Sequence, residues 1–151
     1  MDRSEKAIFT NMCMVYDNDG NVLVQDRKDP DWGGITFPGG HVEREESFTD
    51  AVIREVWEET GLTVVSPRIC GIKQFMREDG VRYVVLFYKT DQFTGSVTSS
   101  EEGEVYWAKL EELQGKKLAD GMEGMLRVFL EEDISEQYWH KADGFWKAEL
   151  K

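Results

Sequence analysis

The amino-acid sequence predicts an α/β fold in which a mixed β-sheet carries helices on both faces. Strand and helix patterns alternate along the chain, but without the regular β-α-β order of a fully parallel sheet. The 151 residues correspond to one main domain, and at this length about 68–70% of the surface of the unfolded chain can be buried. No repeat and no linker rich in Pro, Gly or Ser divides the chain.

The N-terminal part of the sequence predicts two strands and a loop. Residues 7–16 are β-branched and apolar, and they end at the polar turn of residues 17–20. The strand pattern resumes over residues 22–25, so a β-hairpin is expected between the two strands. Residues 26–34 are polar, contain Pro30, and predict a surface loop.

Residues 47–60 form the clearest helix pattern of the sequence. Ser47 is the expected N-cap, Asp50 is its partner in an arrangement like a capping box, and Gly61 is the expected C-terminal stop. Apolar side chains surround most of the helix, which predicts packing on more than one side; they are Phe48, Ala51, Val52, Ile53, Val56 and Trp57.

The C-terminal half predicts a second hairpin, a short strand and a second helix. The hairpin strands are residues 69–75 and 81–88, the short strand is residues 105–107, and the helix is residues 122–130.

Residues 135–151 contain Tyr138, Trp139, Phe145 and Trp146 in polar surroundings. Exposed aromatic clusters usually mark contact surfaces. We therefore expect this tail to dock on the domain of residues 1–134 or on a partner chain.

Charge and cysteine content exclude several classes of partner. Eighteen basic and thirty acidic residues give a net charge of −12, which argues against a surface for long nucleic acid or for an anionic membrane. The longest apolar run, residues 84–88, is too short to cross a bilayer. Cys13 and Cys70 lie in apolar runs and form no CxxC pair. The expectation is a cytoplasmic protein with a small-molecule partner.

Three glutamates share one face of the first helix. Glu55, Glu58 and Glu59 stand at positions i, i+3 and i+4, where like charges repel each other by a few tenths of a kcal/mol per pair. A solvated acidic surface is the general interpretation of such a pattern. The alternative is a site for a hard divalent cation such as Mg²⁺, which prefers a few carboxylates together with substrate phosphates.

The segment in front of the helix favours the metal site. Residues 37–43 form a tight turn, in which Pro38 fixes φ and the adjacent Gly39 and Gly40 allow close backbone approach. A bare backbone can bring a carbonyl oxygen close to a metal ion held by the helix. The whole segment has the pattern Gly40-x5-Glu46-x7-Arg54-Glu55-Val56-x-Glu58-Glu59-x-Gly61-Leu62.

This pattern resembles the Nudix box at nine specified residues in 23 positions. The order of predicted elements over roughly residues 7–131 is also similar to that of Nudix hydrolases. The resemblance implies an α/β/α sandwich and hydrolysis of a nucleoside diphosphate linked to another moiety. Within the family the chain looks most like the 8-oxo-dGTP diphosphatases of MutT type, on the Phe37-Pro38-Gly39-Gly40 turn, the compact size and the acidic residues 100–104 before Trp107.

The resemblance implies a set of metal ligands for Mg²⁺, with Mn²⁺ as an alternative. They are Gly39 through its carbonyl, Glu55, Glu58, Glu59 and Glu102, with Glu101 as the alternative to Glu102. Glu55 and Glu58 are the implied catalytic residues, and Glu55 is the expected base or positioner of the attacking water. Gly40, Glu46, Arg54 and Gly61 are expected to support the box.

The resemblance also implies a substrate pocket, lined by Thr10, Asn11, Arg27, Thr36 and Asp120. Each of these residues also has a structural interpretation. Thr10, Asn11 and Thr36 are ordinary polar residues of strands, and Arg27 is an ordinary surface charge. Asp120 is a suitable N-cap of the second helix. Trp32 is expected either to stack on a base or to pack at the rim.

Several alternatives remain open at the level of sequence. Rival substrates are ADP-ribose, dinucleoside polyphosphates, CoA, NADH and ordinary nucleotides. ADP-ribose enzymes typically carry a proline where this chain has Arg77, and the tyrosine typical of dinucleoside polyphosphate enzymes lies earlier than Tyr83. A non-hydrolytic binding module is a further alternative, although the complete glutamate set argues against it. The oligomeric state, monomer or homodimer, is open.

Overall fold

The computed structural model describes all residues from 1 to 151. It contains ten strands, two α-helices and a 3₁₀ turn at Leu110–Gly115. In chain order the elements are β1 (Ala7–Val15), β2 (Asn21–Arg27), β3 (Gly34–Thr36), α1 (Phe48–Thr60), β4 (Leu62–Val64), β5 (Arg68–Met76), β6 (Arg82–Thr90), β7 (Phe93–Gly95), β8 (Gly103–Lys109), α2 (Met122–Leu130), β9 (Glu136–Ala142) and β10 (Phe145–Leu150).

The main sheet is mixed, as the sequence predicts. Its strand order is β1-β6-β5-β9-β10, with β1 parallel to β6, β5 antiparallel to β6, and β9 parallel to β5. A second sheet has the order β3-β2-β8 and is antiparallel, and β4 pairs with β7. Neither helix is long and apolar enough to cross a membrane.

The two helices lie on opposite faces of the main sheet, which confirms the α/β/α sandwich. Successive side chains of a strand point to opposite faces. Met12 and Met14 of β1 pack in the core cluster that contains α2, whereas Cys13 and Val15 pack in the cluster that contains α1. The central strands are therefore buried on both faces.

The predicted hairpin between the first two strands is wrong. Only an isolated bridge joins Tyr16 to Val22, and β2 belongs to the second sheet. One edge of β1 pairs with β6, and its other edge is hydrogen-bonded by residues 38–42. The polar turn at residues 17–20 marks a reversal of the chain, but both edges of β1 already have partners.

The structure confirms the ends of α1 and corrects its packing. The hydroxyl of Ser47 accepts a hydrogen bond from the Asp50 backbone N–H at 2.9 Å, and Gly61 closes the helix with φ of 80°. The side chains of Phe48 and Trp57 are 42% and 59% exposed, so the helix packs on one side only.

Helix α2 has the predicted bounds, but Asp120 is not its N-cap. Gly121 occupies that position with φ of 80°, and no side chain caps the helix. The left-handed turn at Gly121 leaves Asp120 outside the capping position. The 135–151 segment forms β9 and β10, and β9 extends the main sheet beside β5. We call β9 and β10 the C-terminal hairpin.

Candidate active site

The glycine turn lies between β1 and α1 and contacts both. Cys13 and Asn11 of β1 donate backbone hydrogen bonds of 2.8 Å to the carbonyls of Pro38 and Gly40. Between these two anchors, the N–H of Gly39 donates to Oε2 of Glu59 at 3.0 Å. The carbonyl of Gly39 accepts no hydrogen bond within the protein. It is thus available as an oxygen ligand beside the acidic face of α1.

A side chain on either glycine of the turn would meet a close neighbour, but of a different kind at each position. A Cβ atom on Gly39 would lie 2.0 Å from the carbonyl oxygen of Asn11. A Cβ atom on Gly40 would lie 2.2 Å from Oε2 of Glu55. The first clash is with backbone, which cannot move easily. The second is with the Glu55 carboxylate, so a side chain at position 40 would displace that carboxylate.

Arg54 connects the box helix to the preceding turn. Its Nε and Nη2 donate to the two oxygens of Glu46 at 2.7 and 2.9 Å, and Nη2 also donates to the carbonyl of His41. Its Nη1 donates to Glu55 at 2.9 Å and to Glu58 at 3.2 Å. These charge-assisted bonds lower the pKa of Glu46 to about 2 and fix the Glu55 carboxylate.

The carboxylates at the turn are crowded and partly desolvated. Glu59 is 5% exposed; burial raises its pKa to about 9, and the neighbouring Glu102 and Glu55 add to the shift. Burial also raises the pKa of Glu55, against the opposing effect of Arg54. Buried like charges are unfavourable unless a proton or a cation neutralises them. The local electrostatics therefore favour binding of a positive charge.

The donor set fits a hard divalent cation. The carboxylates of Glu55, Glu59 and Glu102 and the free carbonyl of Gly39 are oxygen ligands of the kind that Mg²⁺ and Mn²⁺ accept. The polypeptide alone does not present a converged site, since no three acidic or histidine side chains meet at coordination distance. Glu58 in particular is half exposed and turned toward Arg54.

A cavity of about 500 Å³ opens beside the carboxylates, which is within the usual size range of small-molecule sites. Thr10, Asn11 and Arg27 line it, as expected from sequence, together with Glu55, Glu59 and Glu102. Its aromatic walls are Trp32, Phe37, Phe75 and Tyr83.

Asn11 presents an unused donor at the cavity wall. Its Oδ1 accepts from the N–H of Gly40 at 3.0 Å, while its buried Nδ2 has no partner within the protein. Nη1 of Arg27 lies 3.9 Å from Oε2 of Glu102, and Nη2 lies 3.5 Å from Oδ2 of Asp29. The guanidinium is therefore held at the acidic end of the cavity. Both groups are suited to contact an anionic or polar ligand in the cavity.

Some predicted residues lie elsewhere. Thr36 does not line the cavity, because its side chain is buried and its hydroxyl lies 3.9 and 3.7 Å from the sulfur atoms of Met12 and Met122. Asp120 lines a neighbouring smaller cavity. Glu58 and Glu101 are not among the lining residues, so the loop before β8 contributes Glu102.

Sequence reasoning missed Lys73, which lines both cavities from β5. Its ammonium lies among aromatic rings, and burial lowers its pKa. The available signal was a single lysine inside the apolar segment of residues 69–75. A strand side chain points to one of the two faces of its sheet, and the Lys73 side chain points to the face on which the cavity lies.

The family model of the NUDIX domain matches residues 9–129. The chain belongs to the Nudix family. Members of this family are hydrolases that act on phosphorus anhydrides of small nucleotide substrates and generally use divalent metal ions.

Individual relatives agree with this assignment. The Nudix hydrolase YvcI of Bacillus subtilis is 33% identical over 114 residues, which cover 72% of this chain and 70% of the relative. A MutT-like protein of Streptomyces ambofaciens is 31% identical over 120 residues, covering 74% of each chain. The crystal structure of a MutT protein from Bacillus halodurans superposes with a TM-score of 0.76 at 28% identity and covers 95% of this chain and 94% of its own.

Proposed function

We propose that the protein is a Mg²⁺-dependent nucleoside triphosphate diphosphohydrolase that converts oxidised purine nucleotides, 8-oxo-dGTP first, to the monophosphate and pyrophosphate. The observation that carries the proposal is the group of carboxylates on α1 at one end of an aromatic-walled cavity, where Glu59 accepts a hydrogen bond from the Gly39 N–H of the glycine turn. Mn²⁺ is an alternative metal. The similarity to MutT proteins supports the choice of substrate.

The residues present would hold the metal and orient the substrate. Glu55, Glu59, Glu102 and the carbonyl of Gly39 would be the ligands, and Glu58 would join them by releasing Arg54. When bound, Mg²⁺ neutralises phosphate charge and lowers the pKa of a water molecule. The net charge of −12 is then compatible with an anionic substrate.

Glu55 is the proposed proton acceptor for the attacking water. Its carboxylate contacts Gly40 on one side and accepts from Nη1 of Arg54 on the other, so its orientation is fixed before substrate binds. Burial raises the affinity of this carboxylate for a proton, which suits a general base at neutral pH. Arg54 acts as a positioning residue, because it holds Glu55 and Glu46 without reaching the cavity.

The remaining lining residues would bind the nucleotide. Arg27 would donate to a phosphate, because its guanidinium stands at the cavity wall next to Glu102. Asn11 would donate from its unpaired Nδ2. Selection of an oxidised base needs a polar group at the base edge, because an apolar slot discriminates weakly against such a small change. Asp120 is the candidate for that role.

A nucleotide panel tests the proposal. The protein is incubated with Mg²⁺ and 8-oxo-dGTP, dGTP, dATP, ADP-ribose, a dinucleoside polyphosphate, NADH or CoA, and the products are separated and quantified. We expect the highest kcat/KM for 8-oxo-dGTP. Equal hydrolysis of 8-oxo-dGTP and dGTP would overturn the substrate, and hydrolysis of none of them would overturn the enzymatic function in favour of a binding module.

A further inference from the structure

Strand β10 is an open edge of the main sheet. The strand order ends at β10, and no strand of the protein pairs with its outer side. The opposite edge strand, β1, is covered differently, because residues 38–42 are hydrogen-bonded along it. Residues 145–149 of β10 are exposed, and the Phe145 side chain is 74% exposed. An open edge of this kind can accept a further strand.

Alternate residues of β10 leave their backbone groups without a partner. Lys151 and Glu136 exchange two backbone hydrogen bonds, at 2.9 and 3.1 Å. In an antiparallel ladder such hydrogen-bonded pairs alternate with pairs that are not hydrogen-bonded. The odd-numbered residues of β10 therefore direct their N–H and C=O groups toward β9, and the even-numbered residues direct theirs outward. The outward residues are Trp146, Ala148 and Leu150.

The side chains of β10 alternate between two different faces. Leu150 packs against the core cluster that contains α2, and Trp146 lines the smaller cavity on the same face. The odd-numbered residues, Phe145, Lys147 and Glu149, point to the opposite face. Lys147 makes no ion pair within the protein. The edge therefore has one apolar face and one face with both signs of charge.

A second copy of β10 fits this edge when a two-fold axis passes at Ala148. The Ala148 residues of the two copies would then exchange two backbone hydrogen bonds, and Trp146 of each copy would exchange two with Leu150 of the other. Every outward N–H group of the strand is used in this antiparallel register. Lys147 of each copy lies opposite Glu149 of the other, and opposite charges at such a position are stabilising.

Other self-pairing registers are disfavoured by charge. The neighbouring registers place the two-fold axis at Lys147 or at Glu149, so that two like charges lie directly opposite each other, which is destabilising. They also replace the apolar pair of Trp146 and Leu150 by contacts with Ala148. A lysine on an edge strand usually opposes pairing with another chain. In the Ala148 register, however, the same lysine meets a carboxylate.

The charge of the whole chain also favours contact at this hairpin. Residues 136–151 contain three acidic and three basic side chains, so the net charge of −12 lies in the rest of the chain. Two copies repel each other least where the local charge is balanced. The acidic residues are Glu136, Asp143 and Glu149, and the basic ones are Lys141, Lys147 and Lys151.

We propose that two copies of this chain associate through antiparallel pairing of their β10 strands about a two-fold axis at Ala148. The two main sheets then form one continuous sheet, with the two α2 helices on the same face. A single strand edge is smaller than a standard protein interface, so the dimer dissociates on dilution. The association does not depend on the proposed hydrolytic activity.

Sedimentation velocity over a wide range of protein concentration tests the dimer. The wild type should change from monomer to dimer as concentration rises. Lys147→Glu and Glu149→Lys should each raise the dimer Kd on the order of ten-fold or more, because each puts two pairs of like charges across the axis. An equimolar mixture of the two variants should form a heterodimer with a Kd close to that of the wild type, because opposite charges again face each other.

Two further variants complete the test. Lys6→Glu makes the same charge change next to β1, at the other edge of the sheet, and should associate as the wild type does. Ala148→Pro removes an outward N–H but no bond to β9, so it should keep the melting temperature and lose the dimer. If Ala148→Pro does not fold, the charge variants alone decide.

Three results would overturn the proposal. The first is a wild type that stays monomeric at every concentration. The second is a dimer whose Kd is the same in Lys147→Glu, Glu149→Lys and folded Ala148→Pro, because the interface would then lie elsewhere. The third is a mixture of the two charge variants that associates no better than either variant alone, because the register at Ala148 would then be wrong.

Discussion

The backbone N–H of Gly39 donates a 3.0 Å hydrogen bond to Oε2 of Glu59. Through this bond the glycine turn, which is itself hydrogen-bonded to β1, holds the acidic face of α1 in place. The Glu59 side chain is buried, and the hydrogen bond from Gly39 is the one that its carboxylate accepts from the backbone. The turn and the helix are therefore joined at the point where the metal ligands are proposed to lie.

The two glycines of the turn should respond differently to alanine. Gly39→Ala places a methyl group 2.0 Å from backbone, and such overpacking should destabilise the fold by about 1–3 kcal/mol. Gly40→Ala meets only the Glu55 carboxylate, so it should keep most of the stability but lose most of the activity. Urea unfolding and initial rates measure the two effects. Equal losses of stability would contradict this account.

Glu55→Gln should lower turnover by a factor on the order of 10² or more, because it removes both a proposed metal ligand and the proposed proton acceptor. The variant should fold normally, and loss of one like charge should make it slightly more stable. Glu132→Gln, at an exposed position far from the box in sequence, is the control and should keep full activity. Activity of Glu55→Gln within a few-fold of the wild type would exclude a central role for this residue.

The stability of the metal-free protein should fall as pH rises from about 4.5 to about 9. In the unfolded chain Glu59 ionises near the ordinary glutamate pKa of 4.5, whereas burial raises its folded pKa to about 9. The folded state holds the proton more tightly in this range, so the stabilisation is complete at low pH and is lost as pH rises through the folded pKa. The contribution of one such group is at most about 1.4 kcal/mol per pH unit.

Mg²⁺ should reduce the fall of stability with pH, because the cation replaces the proton as the partner of the carboxylates. The Glu59→Gln variant should lose this pH dependence. Urea unfolding across this pH range, with EDTA or with Mg²⁺, measures the effect. Identical slopes for the wild type in both conditions would mean that Glu59 is not in the metal site.

Asp120→Asn should reduce discrimination between 8-oxo-dGTP and dGTP, measured as the ratio of kcat/KM, because the amide changes the donor and acceptor pattern at the base edge. Gly121, and not Asp120, caps α2, so the melting temperature should not change. Asp120→Ala extends the test, because it should be equally stable and even less selective. An unaltered ratio in both variants would exclude Asp120 as the base reader.

Local signals in the sequence predicted local structure well. The caps of α1, the bounds of α2 and the β5–β6 hairpin depend on residues close in the chain, and each was predicted. The parallel pairing of Ala7 with Arg82 leaves no local signal, so the partner of β1 was assigned wrongly. The apolar side chain of Trp57 suggested burial, but it is exposed because no second layer of the fold covers that side of α1.

The candidate site was predictable where one continuous motif carries it. Glu55, Glu59 and Gly39 come together because the turn and the helix are adjacent in sequence. The smaller neighbouring cavity is lined by residues of β5 and β9, and these strands are brought together only by the sheet. Lys73 and Trp139 were therefore not recognised as cavity residues.

The most direct test of the central claim is the release of pyrophosphate from 8-oxo-dGTP, followed together with the monophosphate in Mg²⁺ and in excess EDTA. We predict equal amounts of the two products with Mg²⁺ and loss of turnover with EDTA, because the carboxylates of α1 are proposed to act on the substrate through the metal. Undiminished turnover in excess EDTA would contradict the account.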